Sequence, residues 1–349
     1  MKIEGKHILV CGAGGFIGGH LVRKLLELGA ATVRAVDVKP VSEWHQVSDD
    51  AENVAVDLSF RANCFAAVQG KSIVFQLAAD MGGMGFIESN RALCMLNVLI
   101  NTHMLLAARD YSVERFFFSS SACVYNLDKQ TSPLVVPLRE EDAYPAMPED
   151  GYGWEKLFSE RMCRHFEEDF GLPCRVARYH NVYGPMGTWQ GGREKAPAAI
   201  CRKVLEAKLY DIPEIEIWGD GSQTRSFLYI DDCIHGTIGL AESSVLDPIN
   251  LGSSELVTID QLVSMVEDIA GMRLRRHYNR RAPTGVNGRN SDNTRMSQVL
   301  HWEPSILLVE GLKSTYNWIE QEMLQDSTHQ KRLEFQEHYA TEGRDRLDS

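Results

Sequence analysis

Tyr152 and Lys156 stand four residues apart in the run Tyr-Gly-Trp-Glu-Lys, a spacing that puts both on one face of a helix. A free phenol titrates near pH ~10, too high for a base at neutral pH. A neighbouring ammonium favours the phenolate and lowers that value. Ser121, closing an apolar run, is placed to donate to the same substrate hydroxyl. Alone, Tyr-x-x-x-Lys is a common pair on a solvated helix. Its weight comes from a second run, Gly12-Ala13-Gly14-Gly15-Phe16-Ile17-Gly18. Gly12 permits a tight turn, Gly15 lets backbone approach a pyrophosphate, and Gly18 lets helix and strand pack closely. The free N–H groups at the helix start, at Phe16 and Ile17, then face the phosphate charge. Asp37 ends the next strand about 20 residues on, where a carboxylate accepts hydrogen bonds from the ribose hydroxyls. It would repel a ribose 2′-phosphate, so NAD is favoured over NADP. Asp57 and Leu58, after a third strand, are placed at the adenine.

These side chains need a frame. Short β-branched runs at 7–11, 32–37, 53–57, 72–77 and 115–119 alternate with helical patterns at 15–28, 59–69 and 89–110. A further helix is expected at 151–170 and a strand at 174–179. Strands separated by helices form parallel β-α-β units, hence a doubly wound, Rossmann-type α/β sheet. A right-handed crossover leaves few topologies. After His180, itself read as a strand-end histidine, the pattern loosens around Pro185, Gly187, Gly191 and Gly192. The expected organisation is an NAD-binding domain over 1–180, to which later segments return, and a smaller α/β substrate lobe over 181–325. A charged tail is expected over 326–349.

Composition narrows the function. The chain has 349 residues, 44% hydrophobic and 24% charged, and a net charge of −12. That is an ordinary globular balance without the basic footprint of a nucleic-acid binder. No unbroken apolar run reaches the ~18 residues a membrane helix requires. The eight cysteines form no C-x-x-C pair, so reduced thiols in the cytoplasm are expected. Histidines and cysteines show no metal-ligand spacing, and no required metal is expected.

Taken together, these residues resemble the extended short-chain dehydrogenase/reductase family, from Lys6 to about residue 322. The likeness is most specific to its nucleotide-sugar epimerases, through LAADMGGMGFI (77–87), SSACVY (120–125), NVYGPMGTWQGGREKAPAAICRK (181–203), WGDGSQTRSF (218–227) and GRNSDN (288–293). It implies NAD-dependent inversion of GDP-mannose at C3 and C5. A sugar C–H beside an alcohol is not acidic, whereas a ketone at C4 acidifies both neighbours through an enolate. Each inversion then needs proton-transfer groups on opposite faces of the ring. The resemblance assigns Cys123 and Lys195 to those roles. Unaided, a loop cysteine reads as packing and Lys195 as a solvated lysine. It also implies that Gly82, Asn181, Glu194, Lys203, Gln223, Thr224, Arg225 and Arg289 surround the substrate. Arg225 and Arg289 suit the diphosphate, because a guanidinium binds two oxygens at once. A homodimer through the helices at 89–110 and 151–170 is a family expectation.

Three positions depart from the pattern: Cys11, Trp154 and Asn287. The last two leave room for a related substrate such as a GDP-heptose. A 4,6-dehydratase would be expected to carry an Asp-Glu pair where Ala122-Cys123 stands. A 4-epimerase would leave Cys123 and Lys195 idle. A decarboxylase acting on a uronic acid fits less well still. A non-catalytic NAD-sensing regulator would commonly have lost Tyr152 or Lys156, and fold alone does not establish activity.

Overall fold

A computed structural model describes residues 1–325; the segment 326–349 expected as a tail lies outside the described residues. The first half alternates β1 (His7–Cys11), α1 (Phe16–Glu27), β2 (Thr32–Asp37), β3 (Glu52–Ala55), α2 (Arg61–Val68) and β4 (Ile73–Gln76). Then come α3 (Met84–Ser89), α4 (Arg91–Met95), α5 (Asn97–Asp110), β5 (Arg115–Ser121), α6 (Asp150–Phe170) and β6 (Cys174–Tyr179). The second half holds β7 (Val182–Tyr183), α7 (Ala196–Leu209), β8 (Glu214–Trp218), β9 (Thr224–Ser226), β10 (Leu228–Tyr229) and α8 (Ile230–Glu242). It ends with β11 (Ile249–Leu251), β12 (Leu256–Thr258), α9 (Ile259–Ala270), β13 (Arg275–Asn279), β14 (Gly288–Arg289), α10 (Thr294–Leu300) and α11 (Leu308–Gln325).

Seven strands form one sheet in the order β11-β6-β5-β4-β1-β2-β3, every pair parallel. Because side chains alternate across a strand, Arg-Phe-Phe-Phe in β5 serves two cores. Phe117 packs with Leu21, Leu25 and Ile234 beneath α1 and α8, while Phe116 and Phe118 pack with Met104, Leu105 and Cys163 beneath α5 and α6. A strand covered on both faces is apolar throughout, which is why it is conspicuous in the sequence. Truncating Phe117 to Ala would cost about 3–5 kcal/mol. The strand order reverses between β1 and β4, and a crevice opens there at the carboxyl ends of the strands.

The second core gathers Ile200 and Val204 of α7, Leu262 and Val266 of α9, and Leu312 and Tyr316 of α11 over Ile215 and Ile217 of β8. The chain visits it in three passes. It leaves the large sheet after β6, returns for α8 and β11, leaves again for β12 to β14, returns for α10, and ends in α11.

One expected helix differs. Residues 89–110 are divided at Asn90 (φ −130°, ψ 43°) and again at Leu96. By length and composition Arg91–Asp110 could cross a membrane, which a search for an unbroken apolar run passes over. In the fold it packs on α2 and α6. Its buried Asn101 receives a hydrogen bond from Gln76 at 2.8 Å and donates to Ser159 at 3.1 Å.

Candidate active site

The crevice is a cavity of about 930 Å³ lined at one end by Gly12, Gly15, Phe16, Ile17, Gly18, Asp37, Asp57 and Leu58, and at the other by Gly82, Ser121, Tyr152, Lys156 and Lys195. The glycines fit a dinucleotide for a steric reason. Gly12 turns at φ +79°, and a Cβ there would meet the Ala78 backbone at 2.9 Å. A Cβ on Gly18 would stand 2.1 Å from the Gly12 carbonyl oxygen. Gly15 begins α1 with no side-chain cap, leaving helix-start N–H groups for an anion. Asp37 is buried, and one carboxylate oxygen accepts from the Lys39 N–H at 3.0 Å. Lys39 extends its Nζ to the Gly14 carbonyl at 2.7 Å. We expect Gly18→Ala to weaken NAD binding at least about tenfold, because backbone on both sides must move. Titration with NAD checks this; unchanged affinity would mean that another surface holds the cofactor.

Tyr152 and Lys156 share the inner face of α6, both buried. The Lys156 ammonium lies over the rings of Phe118 and Tyr152, 4.8 and 5.6 Å from their centroids. It stands 3.9 Å from the Glu155 carboxylate. Burial pushes the Tyr152 phenol well above its ordinary value; Cys123 and Glu155 add to this, and a hydrogen bond with Ser121 opposes it. Burial also lowers Lys156, against the pull of Glu155. The expectation of a lowered phenol is therefore corrected, since desolvation outweighs the ammonium. Tyr152 rests as a neutral phenol hydrogen-bonded with Ser121.

Ser121 also accepts the Cys123 N–H at 3.2 Å, opening a short 3-10 turn over Ala122–Val124. That turn aims Cys123 back to the same centre, where it packs with Tyr152, Cys94 and Ile87. Lys195 arrives from the second lobe as the residue preceding α7. Two of the sequence strings prove to be one structure here. Arg193 bonds the Asp80 carboxylate at 2.8 Å and covers the ring of Phe86. The Gly83 N–H donates to the Arg193 carbonyl at 3.0 Å. A Cβ on Gly83 would stand 2.5 Å from the Glu194 carbonyl oxygen, which only glycine permits. This clasp sets Lys195 beside the cavity, where burial lowers its ammonium, Cys123 opposes that shift, and Arg289 adds to it.

Other substrate candidates sit around this centre with protein partners of their own. Arg289 and Arg225 are register neighbours on β14 and β9. Arg225 donates to the carbonyls of Thr224, Thr284 and Val286, and burial lowers it to about 10. Asn181, at φ +38°, donates to the Ser226 carbonyl at 3.0 Å. Thr224 donates to the Pro133 carbonyl at 2.6 Å, and Gln223 is buried with its side-chain oxygen unpartnered. Glu194 pairs with Arg202 at 3.1 Å. Lys203, further along α7, donates to the Glu216 carbonyl at 2.8 Å beside Trp218. None of these six, nor Cys123 or Arg289, lines the main cavity.

Arg289 departs most from its expected role. Its side chain is 5% exposed, and its fork is engaged by Gln130 at 2.7 Å, Glu149 at 2.9 Å and the Cys123 sulfur at 3.7 Å. Sequence reading missed Glu149 and Gln130. Glu149 stands just ahead of the tyrosine helix, a weak signal, and Gln130 gave none. His180 is fully buried and bonded to Asn250 at 3.0 Å, and burial holds it down at about 3. It is a neutral strand-end residue. The three unusual positions lie off the pocket: Cys11 is in the core, Trp154 is 47% exposed on α6, and Asn287 ties Thr131 at 2.8 Å.

Residues 8–252 match a family model described as the NAD dependent epimerase/dehydratase family. The chain is 43% identical to the GDP-mannose 3,5-epimerase of Arabidopsis thaliana over 92% of this chain and 84% of that one. It is 44% identical to GDP-mannose 3,5-epimerase 1 of Oryza sativa subsp. japonica over 93% and 84%. Among solved structures, UDP-glucose 4-epimerase of Thermotoga maritima with UDP-glucose aligns at TM-score 0.81 and 27% identity, covering 91% of this chain and 99% of that one. UDP-glucuronic acid 4-epimerase of Bacillus cereus, in complex with UDP-glucuronic acid and NAD, aligns at 0.77 and 27%, covering 90% and 99%.

Proposed function

The chain belongs to the NAD dependent epimerase/dehydratase family, and on that premise we propose that it is a GDP-mannose 3,5-epimerase. It forms GDP-L-galactose by inversion at C3 and C5, with GDP-L-gulose where C5 alone inverts. The observation that carries the reading is the convergence of Cys123 and Lys195, from different lobes, on the Tyr152–Ser121 pair. A 4-epimerase would leave such a pair idle, and a 4,6-dehydratase would be expected to carry an Asp-Glu pair where Ala122-Cys123 stands. NAD, when bound, accepts the C4 hydride and returns it, so the net reaction is an isomerisation.

The chain's residues do the rest. Tyr152, once its phenol has released its own proton to solvent, takes the C4 hydroxyl proton as the ketone forms, and Ser121 holds that oxygen. Lys156, buried under the ring of Tyr152, supplies the positive charge that favours proton loss from the phenol. Cys123 and Lys195 exchange the protons at C3 and C5. Incubating the protein and NAD with GDP-mannose, followed by acid release and identification of the sugar, tests the reading. Galactose with some gulose is expected; unchanged mannose from an NAD-loaded protein would reject it.

We also propose a homodimer and a cytoplasmic setting. All eight thiols are unpaired, as suits a reducing compartment. Met95 and Leu96 at the α4–α5 junction are 49% and 55% exposed, and Trp154 and Phe158, one turn apart on α6, are 47% and 55% exposed. Apolar groups gathered in this way favour a partner surface. Replacing both Trp154 and Phe158 by Glu is expected to convert a dimer to a monomer by light scattering. A monomeric parent would refute the assignment.

A further inference from the structure

Glu155 stands between Tyr152 and Lys156 in the chain and has no part in the steps above, yet its side chain is 0% exposed. The hydrogen bonds around it fix its state. The Ala78 carbonyl can only accept, so the Gln76 side-chain nitrogen donates to it at 3.0 Å and to Asn101 Oδ1 at 2.8 Å. Asn101 is left to donate through Nδ2, which reaches Glu155 Oε1 at 2.5 Å. The Ser159 hydroxyl, one turn further along α6, donates to the same oxygen at 2.7 Å. The other oxygen, Oε2, is buried with no hydrogen-bond partner among the described residues, and Lys156 Nζ stands 3.9 Å from it. A protonated carboxyl would carry its proton on Oε2, where no acceptor waits, and would bury an unmade hydrogen bond. The arrangement therefore suits the carboxylate, with its second oxygen turned to a cation.

We propose that Glu155 is the positioning residue of Lys156, its buried carboxylate being the counter-charge that keeps Lys156 an ammonium beside Tyr152 while C4 is oxidised. The proposal rests on the epimerase reading above only through the Tyr152–Lys156 pair, whatever sugar that pair oxidises. Lys156 needs such a partner, because a cation taken out of water without one gives up its proton, and a neutral amine would exert no pull on the phenol. Asn101 and Ser159 serve the lysine at one remove. They hold the carboxylate in its charged form and turn Oε2 to Nζ, as a buried ion pair requires of its surroundings.

The groups around this pair agree. Burial lowers Lys156, and Glu155 is the foremost of the groups that oppose it, ahead of Cys163, Cys123 and Glu160. Glu160, the other carboxylate on this face of α6, is already taken by the Arg178 fork from β6 at 2.9 and 2.7 Å. From β5 the ammonium meets only the ring of Phe118, and α5 supplies Asn101. Glu155 also adds to the rise of the Tyr152 phenol, so its service to the pair runs through the lysine.

The test is the titration of Lys156 in the NAD-loaded protein, followed by NMR of isotope-labelled lysine side chains, with its resonance identified by loss in Lys156→Met. Glu155→Gln keeps the shape and still accepts from Asn101 and Ser159 through its amide oxygen, but it carries no charge. Lys156 should then release its proton about one pH unit or more below the parent, and the alkaline limb of kcat/KM should fall with it. Were Glu155 only a tie between α5 and α6, Gln would serve as well, so unchanged titration would overturn the proposal. Glu155→Asp retains the charge and should shift Lys156 less than Gln does; an equal shift would also overturn it. The parent gives a check that stands where a variant fails to fold: Lys156 should be an ammonium at neutral pH, and a neutral amine there would contradict the assignment. Titration needs no substrate, so these outcomes stay readable even if GDP-mannose proves not to be turned over.

Discussion

Cys123→Ala and Lys195→Ala are each expected to lower epimerisation by about 10²–10⁴-fold while leaving NAD binding intact, the range that a positioned acid or base contributes. Neither residue belongs to the glycine cradle or the Asp37 end of the cavity, so cofactor affinity should be unaffected. Tyr152, Ser121 and Lys156 remain in place in both variants, and oxidation at C4 should still proceed. The distinguishing sign is therefore a substrate-dependent rise in the near-ultraviolet absorbance of reduced nicotinamide without inverted product. Loss of both oxidation and inversion would mean that these residues hold the sugar rather than move its protons. Full turnover in either variant would remove that residue from the mechanism.

Tyr152→Phe is expected to produce the opposite separation. Its phenolic oxygen, once deprotonated, receives the C4 proton, and without it neither ketone nor enolate can form. Turnover should fall by about 10²–10⁴-fold, with no reduced nicotinamide on adding GDP-mannose and no exchange at C3 or C5. The parent phenol is buried and pushed well above its ordinary value. A neutral phenol cannot take a further proton, so it must first release its own to solvent, a loss the Lys156 ammonium favours, before it receives the C4 proton. Rapid oxidation in Tyr152→Phe would transfer the role to Ser121.

The parallel sheet is legible because its strands are buried on both faces: β1, β2 and β6 fall where their apolar runs begin and end. The glycine cradle is legible for a related reason, since close approach of backbone leaves few residue choices. What escapes the sequence is set by distant partners. No Pro or Gly marks the breaks at Asn90 and Leu96, so 89–110 reads as continuous. A guanidinium suggests a diphosphate, yet Arg289 is taken by Gln130 and Glu149, which lie 159 and 140 residues away in the chain. A lysine four residues from a tyrosine suggests a lowered phenol, but the sequence does not give the burial that reverses it. Lys195 is ordinary by composition, and only the Arg193–Asp80 clasp and the Gly83 contact bring it to Cys123.

The central claim is that this chain oxidises C4 transiently and moves the protons of C3 and C5 through Cys123 and Lys195. Incubation of the NAD-loaded protein with GDP-mannose in deuterated water, followed by NMR of the sugar, tests it directly. The account predicts deuterium at C3 and C5 of the inverted products, no deuterium at C4, and no net reduced cofactor. Protonated carbons at C3 and C5 after full incubation with a protein shown to bind NAD would contradict it.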